Sequence, residues 1–358
     1  MRVLDLRPWY ERSLQRWWAK SRLQAEPGIW SRMAGFFPAV RVSRRSPPPE
    51  RPFIVSVGNL SLGGSGKTPV VGRLAADLAT GGLRVAILTR GYGSSLTSPQ
   101  LVTPDCTGCG DEARLLAAQL SEAGVDVVQS VDRRRGLAYI ADRSSAPDCV
   151  ILEDGFQTAG VGRHLDILIL NSWLKDGEGA CVPLAGPLFP VGPYREPARA
   201  ARRADIWLLE DPGDVFAVRE SGPLVTAFSR ADRLTDAQGR SVEAGEIGDW
   251  AALSGIARSG VFETSAAGLV GRAPRLAIRC RDHESYSHRI LDRVAAALSD
   301  ENLDTVVTTA KDWVKLSGRV PEHWRVFLVV QEVRWETKHA LPEVVRERMR
   351  GQLEGGGT

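Results

Sequence analysis

Residues 53–69 read FIVSVGNLSLGGSGKTP, and this stretch decides the fold class. The apolar run Phe53–Val57 is typical of a buried strand, and apolar residues at helical spacing follow from Val70. A strand, a glycine-rich turn, Lys-Thr and a helix are the context of a phosphate-binding loop. The stretch therefore predicts a P-loop. The alternative is a glycine-rich turn that binds no nucleotide.

The residue types in this turn suit a nucleoside triphosphate. Glycines let backbone N–H groups turn toward phosphate oxygens, and the helix N-terminus adds partial positive charge. The Lys67 ammonium can reach the β- and γ-phosphates, and the Thr68 hydroxyl can bind Mg²⁺. Ser61 stands where the strict motif has its first glycine. The predicted nucleotide-binding residues are Gly63, Gly64, Ser65, Gly66, Lys67 and Thr68.

Two further apolar runs end in charged side chains. The run from Cys149 ends in Glu153 and Asp154, and in P-loop proteins such a strand supplies an acid that binds Mg²⁺. Either carboxylate suits that role, and two carboxylates that cap a surface turn are the alternative. Arg90 follows a second run, where the ends of parallel strands face a ligand crevice. A phosphate contact and a solvated arginine are both consistent with its position.

Strand and helix patterns alternate from residue 53 to about 210 and resume near 224. We therefore predict an α/β protein with a P-loop NTPase-like parallel sheet core, a second, smaller α/β domain and an N-terminal amphipathic helix. The predicted segments are 1–51 (basic, Trp-rich and membrane-associating), 52–223 (nucleotide-binding core), 224–340 (smaller α/β domain closing over the site) and 341–358 (C-terminal helix and disordered tail).

Composition limits the class of protein. The 358 residues carry a net charge of +3, with 43% hydrophobic and 25% charged residues, which is ordinary for a folded globular protein. Disorder, collagen and coiled coil are therefore disfavoured. The chain lacks an apolar run of spanning length, and its charged N-terminus lacks the apolar core of a signal peptide. We expect a cytoplasmic protein.

The five cysteines do not form a disulfide framework by number or spacing, so a reducing compartment is expected. Cys106-Thr107-Gly108-Cys109 is a single CxxC. The sequence offers neither a second pair nor a nearby histidine to complete a four-ligand zinc site. A surface turn is therefore favoured over metal binding or redox chemistry.

The N-terminal segment is basic and rich in tryptophan. Residues 1–51 carry 11 basic and 4 acidic side chains and four of the ten tryptophans. Tyr10, Leu14, Trp17 and Trp18 fall on one helical face, with cations mostly on other sides. Such a helix suits the headgroup region of an anionic membrane, and packing on its own domain is the alternative. The sequence contains nothing that resembles a nucleic-acid recognition module.

Further motifs follow the P-loop in order. They are Arg90-Gly91-Tyr92-Gly93, Gly110-Asp111-Glu112, Asp154-Gly155-Phe156-Gln157, Ala185-Gly186-Pro187-Leu188, Arg195-Glu196-Pro197, Asp282-His283 and the run Thr308–Leu316. Together with the P-loop, they resemble the tetraacyldisaccharide 4′-kinase family, the lipid A 4′-kinases. That family's loop also commonly lacks the first glycine. The matches span about residues 53–316.

The resemblance implies a reaction. The family transfers the γ-phosphoryl group of ATP, with Mg²⁺, to the 4′-hydroxyl of an acylated glucosamine disaccharide 1-phosphate in lipid A biosynthesis. The reaction takes place at the cytoplasmic side of the inner membrane. The family's basic N-terminal helix meets that membrane, which favours the membrane interpretation of residues 9–23.

The resemblance also implies roles for single residues. Asp111 is the general base on the sugar hydroxyl, and His283 of the second domain supports it across a cleft. Lys67 is the third catalytic residue. The candidate metal ligands are Thr68, Glu153, Asp154 and Glu112, and the candidate substrate-binding residues are Arg90, Gln157 and Arg195.

The sequence departs from the family pattern at Glu153, Thr158 and Glu284. The family usually has aspartate at the first position, histidine at the second, and an aromatic residue or histidine at the third. Two other functions stay open. A P-loop GTPase or metallochaperone-type switch needs a guanine-specificity motif, which residues 309–312 only partly imitate. A non-catalytic, membrane-associated ATP-binding adaptor would bind ATP and lipid but transfer nothing.

Overall fold

The computed structural model describes residues 1–7, 46–62, 66–171, 173–175, 181–189, 192–210, 223–256, 259–282, 284–336 and 340–355. Several predicted features lie outside these residues. They are the N-terminal amphipathic helix, the loop residues Gly63, Gly64 and Ser65, the histidine His283, and the last three residues of the tail.

Strands and helices alternate along most of the chain. The strands are β1 (Arg2–Asp5), β2 (Phe53–Asn59), β3 (Val85–Thr89), β4 (Gln100–Leu101), β5 (Asp126–Gln129), β6 (Cys149–Glu153), β7 (Leu165–Leu170), β8 (Trp173–Lys175), β9 (Cys181–Pro183), β10 (Ile206–Glu210), β11 (Leu224–Asp236), β12 (Ala251–Ser254), β13 (Leu276–Arg279), β14 (Thr305–Thr309) and β15 (Arg325–Trp335). The helices are α1 (Lys67–Thr80), α2 (Asp111–Leu120), α3 (Arg133–Ala141), α4 (Ser259–Val270), α5 (His288–Asp300), α6 (Ala310–Leu316) and α7 (Leu341–Gly355). Within the described residues, none of these helices has both the length and the apolar character needed to cross a bilayer.

The chain divides into two compact units. The larger unit comprises residues 17–230 and 333–358, and the smaller unit comprises residues 1–16 and 231–332. This division differs from the predicted segments at both ends of the chain. Residues 2–5 form β1 and belong to the smaller unit. Leu4 and Leu6 pack on the apolar core of that unit. The C-terminal helix belongs to the larger unit.

The larger unit contains a sheet in the order β11-β10-β7-β2-β6-β3-β5-β4. Its strand pairs are parallel except for β4 with β5. Val55 and Ile54 of β2 belong to two different apolar clusters, since successive side chains of a strand point to opposite faces. Leu74 of α1 shares the first cluster and Ile140 of α3 shares the second. This explains why the central strands read as continuous apolar runs.

The C-terminal helix α7 completes the larger unit. Leu341, Val345 and Met349 lie in the apolar cluster that also holds α1. The Arg346 guanidinium donates to the backbone carbonyl of Asp77 in α1, and the Trp335 indole donates to the Asp77 carboxylate at 2.6 Å. Residues far apart in the chain therefore share one core.

In the smaller unit, parallel strands follow the order β1-β13-β12-β14-β15. Its core includes the fully buried side chains of Trp250 and Tyr286. This unit is α/β as predicted, because its strands alternate with α4, α5 and α6.

Candidate active site

The turn between β2 and α1 ends at a residue whose backbone conformation favours glycine. Gly66 precedes α1 with φ 73° and ψ 19°, a left-handed conformation that disfavours side chains. Lys67 is the first residue of α1. Its Nζ lies 3.1 Å from Asn59 Oδ1 and 3.5 Å from Asp154 Oδ1. The ammonium group therefore lies at the carboxyl ends of β2 and β6, where the P-loop helix begins.

Thr68 and Glu153 meet at the same end of the sheet. The Thr68 hydroxyl donates to Glu153 Oε1 at 2.8 Å. β6 pairs with β2, and this pairing places the last residue of β6 beside the P-loop. Glu153 is only 4% exposed. Burial and the charge of Glu112 raise its pKa, although hydrogen bonds from Thr89 and Thr68 favour the charged form.

Asp154 is in a different electrostatic environment from its neighbour Glu153. It follows β6 with φ 53°, and Arg195 Nη1 donates to its two carboxylate oxygens at 2.9 and 2.8 Å. Burial opposes the charged form, but the charges of Lys67 and Arg195 outweigh it and lower the pKa of Asp154. Asp154 is therefore an anion between two cations.

Gln157 links this cluster to the Arg195-Glu196 motif. Its side-chain amide donates to the Asn59 carbonyl at 2.8 Å and to Glu196 Oε1 at 3.1 Å, and its Oε1 accepts from Arg195 at 3.2 Å. Glu196 is 2% exposed and accepts from Arg203 at 2.7 and 3.0 Å. These bonds hold Arg195 in position beside Asp154.

Asp111 and Glu112 form the first turn of α2. The N–H of Gly110, the residue before the helix, donates to Gln129 Oε1 at 2.7 Å. A Cβ on Gly110 would lie 2.9 Å from Gly91 Cα, so the start of α2 packs on the Arg90-Gly91-Tyr92-Gly93 loop. Asp111 is half-buried there, and the charge of Glu112 acts on Glu153.

Arg133 contacts the backbone at the same end of the sheet. Its guanidinium donates to the backbone carbonyls of Leu88 and Glu153, which are at the ends of two neighbouring strands. Burial lowers the pKa of Arg133 to about 10, and the charge of Arg90 acts in the same direction while that of Glu153 opposes it. Arg90 itself is exposed at the end of β3. Arg90 and Arg133 therefore add positive charge at the end of the sheet that carries Glu153 and Asp154.

A sequence model of the family described as tetraacyldisaccharide-1-P 4′-kinase matches residues 32–350. The chain belongs to this family. The family predicted from the sequence motifs is confirmed.

Named relatives agree with this assignment. The chain is 36% identical over 292 residues to the tetraacyldisaccharide 4′-kinase of Anaeromyxobacter dehalogenans strain 2CP-C, covering 74% of this chain and 72% of the relative. It is 33% identical over 334 residues to the tetraacyldisaccharide 4′-kinase of Phenylobacterium zucineum, covering 91% and 92%. The crystal structure of "apo" form LpxK from Aquifex aeolicus in complex with ATP has a TM-score of 0.63, with 28% identity over 95% of this chain and 99% of that chain. The α/β fold predicted from the sequence is confirmed by this likeness.

The structure brings most of the predicted 4′-kinase site residues in the larger unit to one end of its sheet. Lys67, Thr68, Glu153, Asp154 and Arg195 are linked by the contacts above, with Gln157 and Glu112 next to them. Asp111 begins the adjacent helix, and Arg90 lies close enough for its charge to reach Arg133. The roles of all these residues remain predictions.

The donor set suits a hard cation. Glu153 and Glu112 are close enough that their like charges raise the pKa of Glu153, and a divalent cation would relieve that repulsion. The Thr68 hydroxyl already bonds to Glu153. Among the described residues, no group of three or more acidic, histidine or cysteine side chains forms a complete metal cage. Mg²⁺ sites at P-loops take few protein ligands and fill the rest with water and phosphate, so the residues fit Mg²⁺.

Three buried polar residues of this site escaped the sequence argument: Asn59, Arg133 and Glu196. Arg133 lies after the end of β5, so the strand-end rule that pointed to Arg90 could have found it. Glu196 belongs to a quoted motif, but no role was assigned to it. Asn59 is at the end of β2, and only its contact with Lys67 shows that it belongs to the site.

The partial guanine motif at residues 309–312 has a local structural role. Asp312 is fully buried in the smaller unit, where its Oδ2 accepts from the Gly255 N–H at 3.0 Å. The Thr309 hydroxyl accepts from the Asp312 N–H and caps α6. The CxxC forms a turn as predicted, but its two cysteines are joined by a disulfide. Spacing alone does not reveal the oxidation state of a cysteine pair, so the sequence favoured a plain turn.

Proposed function

We propose that this chain transfers the γ-phosphoryl group of ATP to the 4′-hydroxyl of an acylated glucosamine disaccharide 1-phosphate. Membership of the 4′-kinase family supports the reaction. The observation that carries the residue-level proposal is the joint placement of Lys67, Thr68 and Glu153 at the end of β2 and β6. Such an arrangement is typical of phosphoryl-transfer sites, where catalysis is positioning plus charge stabilisation.

Mg²⁺ is expected to be held by Thr68, Glu153 and Glu112. When bound, the ion supplies positive charge to the β- and γ-phosphate oxygens. Asp154 is the weaker ligand candidate because its carboxylate already pairs with Arg195 and Lys67. Glu153 lies deeper and its environment disfavours its charge, so it gains more from a cation.

The two cations of the cluster are proposed to stabilise the transferring group. Lys67 and Arg195 are both held by Asp154, which keeps them oriented before nucleotide binds. Charge that is already oriented costs little reorganisation as the transition state forms. Gln157 fixes Arg195, and Arg90 at the sheet end is proposed to bind substrate phosphate.

Asp111 is proposed as the general base, with His283 as its partner. Asp111 is half-buried in the first turn of α2, beside Glu112. A positioned carboxylate can accept the hydroxyl proton as the phosphoryl group moves. A hydrogen-bonded imidazole would orient that carboxylate, which is the part proposed for His283.

The N-terminal segment is proposed to bring the enzyme to the cytoplasmic face of the inner membrane, where an acylated substrate is embedded. We expect the full chain to sediment with vesicles that contain anionic lipid and less with neutral phosphatidylcholine vesicles. A Trp17→Ala/Trp18→Ala variant should lose most of this binding while keeping ATP affinity. Equal sedimentation of both proteins would place the membrane contact elsewhere.

Incubation of the purified protein with labelled ATP and the acylated disaccharide 1-phosphate tests the reaction. Asp111→Ala is expected to abolish transfer and leave ATP binding nearly intact, whereas Glu122→Gln, at an exposed carboxylate beyond the end of α2, should behave as the parent. Preference for GTP would support a GTPase-type switch instead. ATP binding without transfer by the parent would support an adaptor, and full turnover by Asp111→Ala would refute the base assignment.

A further inference from the structure

The Cys106–Cys109 disulfide lies directly before the helix that carries Asp111. The two Cα atoms are 5.7 Å apart, within the usual range for a disulfide. Cys109 is followed by Gly110 and then by Asp111, the first residue of α2. Both cysteines are 9% exposed, so the bond lies just under the surface.

The disulfide-closed turn is tied to the loop that follows β3. Gly108, between the cysteines, has φ +82°, and its carbonyl accepts from the Ser95 N–H at 3.1 Å and from the Ser94 hydroxyl at 2.6 Å. Ser94 and Ser95 come directly after the Arg90-Gly91-Tyr92-Gly93 motif. The conformation of the turn therefore affects this loop as well as α2.

Gln129 connects the same two segments from the end of β5. Its Oε1 accepts from the Gly110 N–H at 2.7 Å, and its Nε2 donates to the Ser94 hydroxyl at 2.6 Å. Gly110 also packs within van der Waals contact of the loop backbone, where a Cβ would not fit. A change in the turn thus passes directly to the first residues of α2, including Asp111.

Stabilisation of the fold is a poor explanation for the presence of this disulfide. A disulfide stabilises mainly by restricting the unfolded chain, and a ring closed over so few residues restricts it least. CxxC pairs next to a helix N-terminus favour the thiolate and therefore reversible exchange. In the cytoplasmic setting proposed above, disulfides are usually transient or redox-sensing rather than structural.

We propose that Cys106 and Cys109 form a reversible dithiol–disulfide site whose oxidised form holds Asp111 in its working position. Oxidation removes two protons and two electrons from the thiols, which a disulfide oxidant accepts as it becomes two thiols. Reduction by a small dithiol runs the reverse course. Its thiolate attacks one sulfur, the other leaves as thiolate, and a second attack releases the cyclic disulfide of the reductant. The catalytic consequence rests on the proposed role of Asp111.

The test compares oxidised and reduced full-length protein. One sample of the enzyme is equilibrated with oxidised glutathione and another with dithiothreitol, and free thiols are then trapped and counted by mass. Reduction should add two thiols to those of Cys149, Cys181 and Cys280. It should speed hydrogen exchange at the Gly110 amide, lower kcat for phosphoryl transfer by at least about threefold, and change the ATP dissociation constant by less than about twofold.

Two variants serve as matched controls. Cys106→Ser/Cys109→Ser should resemble the reduced parent in exchange and kcat, and should not respond to dithiothreitol. Cys181→Ser should respond as the parent does, because Cys181 is a half-buried free cysteine outside the turn.

Several outcomes would overturn the proposal. One is a turn that stays reduced in the oxidising buffer, and another is a parent whose kcat and exchange do not change on reduction. A double variant that still responds to dithiothreitol would also overturn it. If neither redox form transfers phosphate, the proposed function fails. The thiol count and the Gly110 exchange then decide the redox site without the activity assay.

Discussion

At the scale of single residues, Glu153 is a carboxylate whose burial makes its charge unfavourable. Burial and the charge of Glu112 raise its pKa. A carboxylate whose pKa is higher in the folded state stabilises the fold at low pH. That contribution is lost as pH rises from the ordinary carboxyl pKa of about 4.3 through the raised value. A neutral side chain at position 153 should therefore raise the stability of the protein in metal-free buffer at pH values above that range.

Glu153→Gln is thus expected to melt at a higher temperature than the parent in metal-free buffer, with a difference that grows as pH rises above about 4.3. Mg²⁺ with ATP should narrow the difference, because bound cation stabilises only the parent's charged carboxylate. Thermal unfolding followed by circular dichroism across pH checks this, and kcat should fall in the same variant. Parallel melting curves for the two proteins at all pH values would contradict the raised pKa.

Arg195 is the second residue whose contacts predict a measurable effect. Its single Nη1 bonds both Asp154 oxygens and Gln157, so its position is fixed before substrate binds. We expect Arg195→Gln to lower kcat on the order of 100-fold with little change in ATP affinity, and Arg195→Lys to recover part of the loss. Arg202→Gln, at a nearby exposed arginine, is the control. Unchanged kcat in Arg195→Gln would remove Arg195 from the transferring-group contacts.

At the scale of elements, the start of α2 is set by close backbone approach. A Cβ on Gly110 would lie 2.9 Å from Gly91 Cα and 3.0 Å from Tyr92 O, and backbone atoms cannot rotate away as a flexible side chain can. Gly110→Ala should therefore shift the start of the helix, and with it Asp111. We expect a stability loss of about 1–3 kcal/mol and a lower kcat, measured by urea unfolding and phosphoryl transfer.

The matched control is Gly268→Ala within α4, where a Cβ would meet nothing within 4 Å. Alanine favours a helix over glycine, so this variant should be stabilised by about 0.5–1 kcal/mol. A Gly110→Ala protein as stable and as active as this control would show that the start of α2 tolerates a side chain.

At the scale of the whole molecule, the larger unit is built from two separate stretches of chain. Residues 17–230 form most of it. Residues 333–358, which follow the smaller unit in the sequence, also belong to it. Val333, Leu341 and Val345 complete its apolar core. A chain that ends at residue 332 therefore exposes that core.

We expect the chain that ends at 332 to be largely insoluble, or to lose its cooperative urea unfolding transition, because several large apolar side chains lose their cover. A chain that lacks only residues 356–358 is the control and should unfold as the parent does. Soluble yield and urea unfolding measure both. A cooperative transition of unchanged midpoint in the shorter chain would show that the larger unit folds without α7.

Local patterns were enough for the parts of the site that lie within one motif. Lys67 and Thr68 were predicted because a strand, a glycine-rich turn and a helix have distinct residue spacings. Glu153 and Asp154 were predicted as metal ligands because they end an apolar run. The order of the motifs was enough to identify the family, since many short matches in sequence are more specific than any one of them.

The tertiary structure decided which of these residues touch. Asp154 pairs with Arg195 while Glu153 bonds to Thr68, so two adjacent carboxylates acquire opposite pKa shifts. The sequence by itself determined the strands, the P-loop and the family, because these depend on residues that are neighbours in the chain. The partner and the charge of each side chain depend on strands that are distant in the sequence. Phe53 of β2 and Cys149 of β6, for example, are 96 positions apart and become neighbours only when the sheet forms.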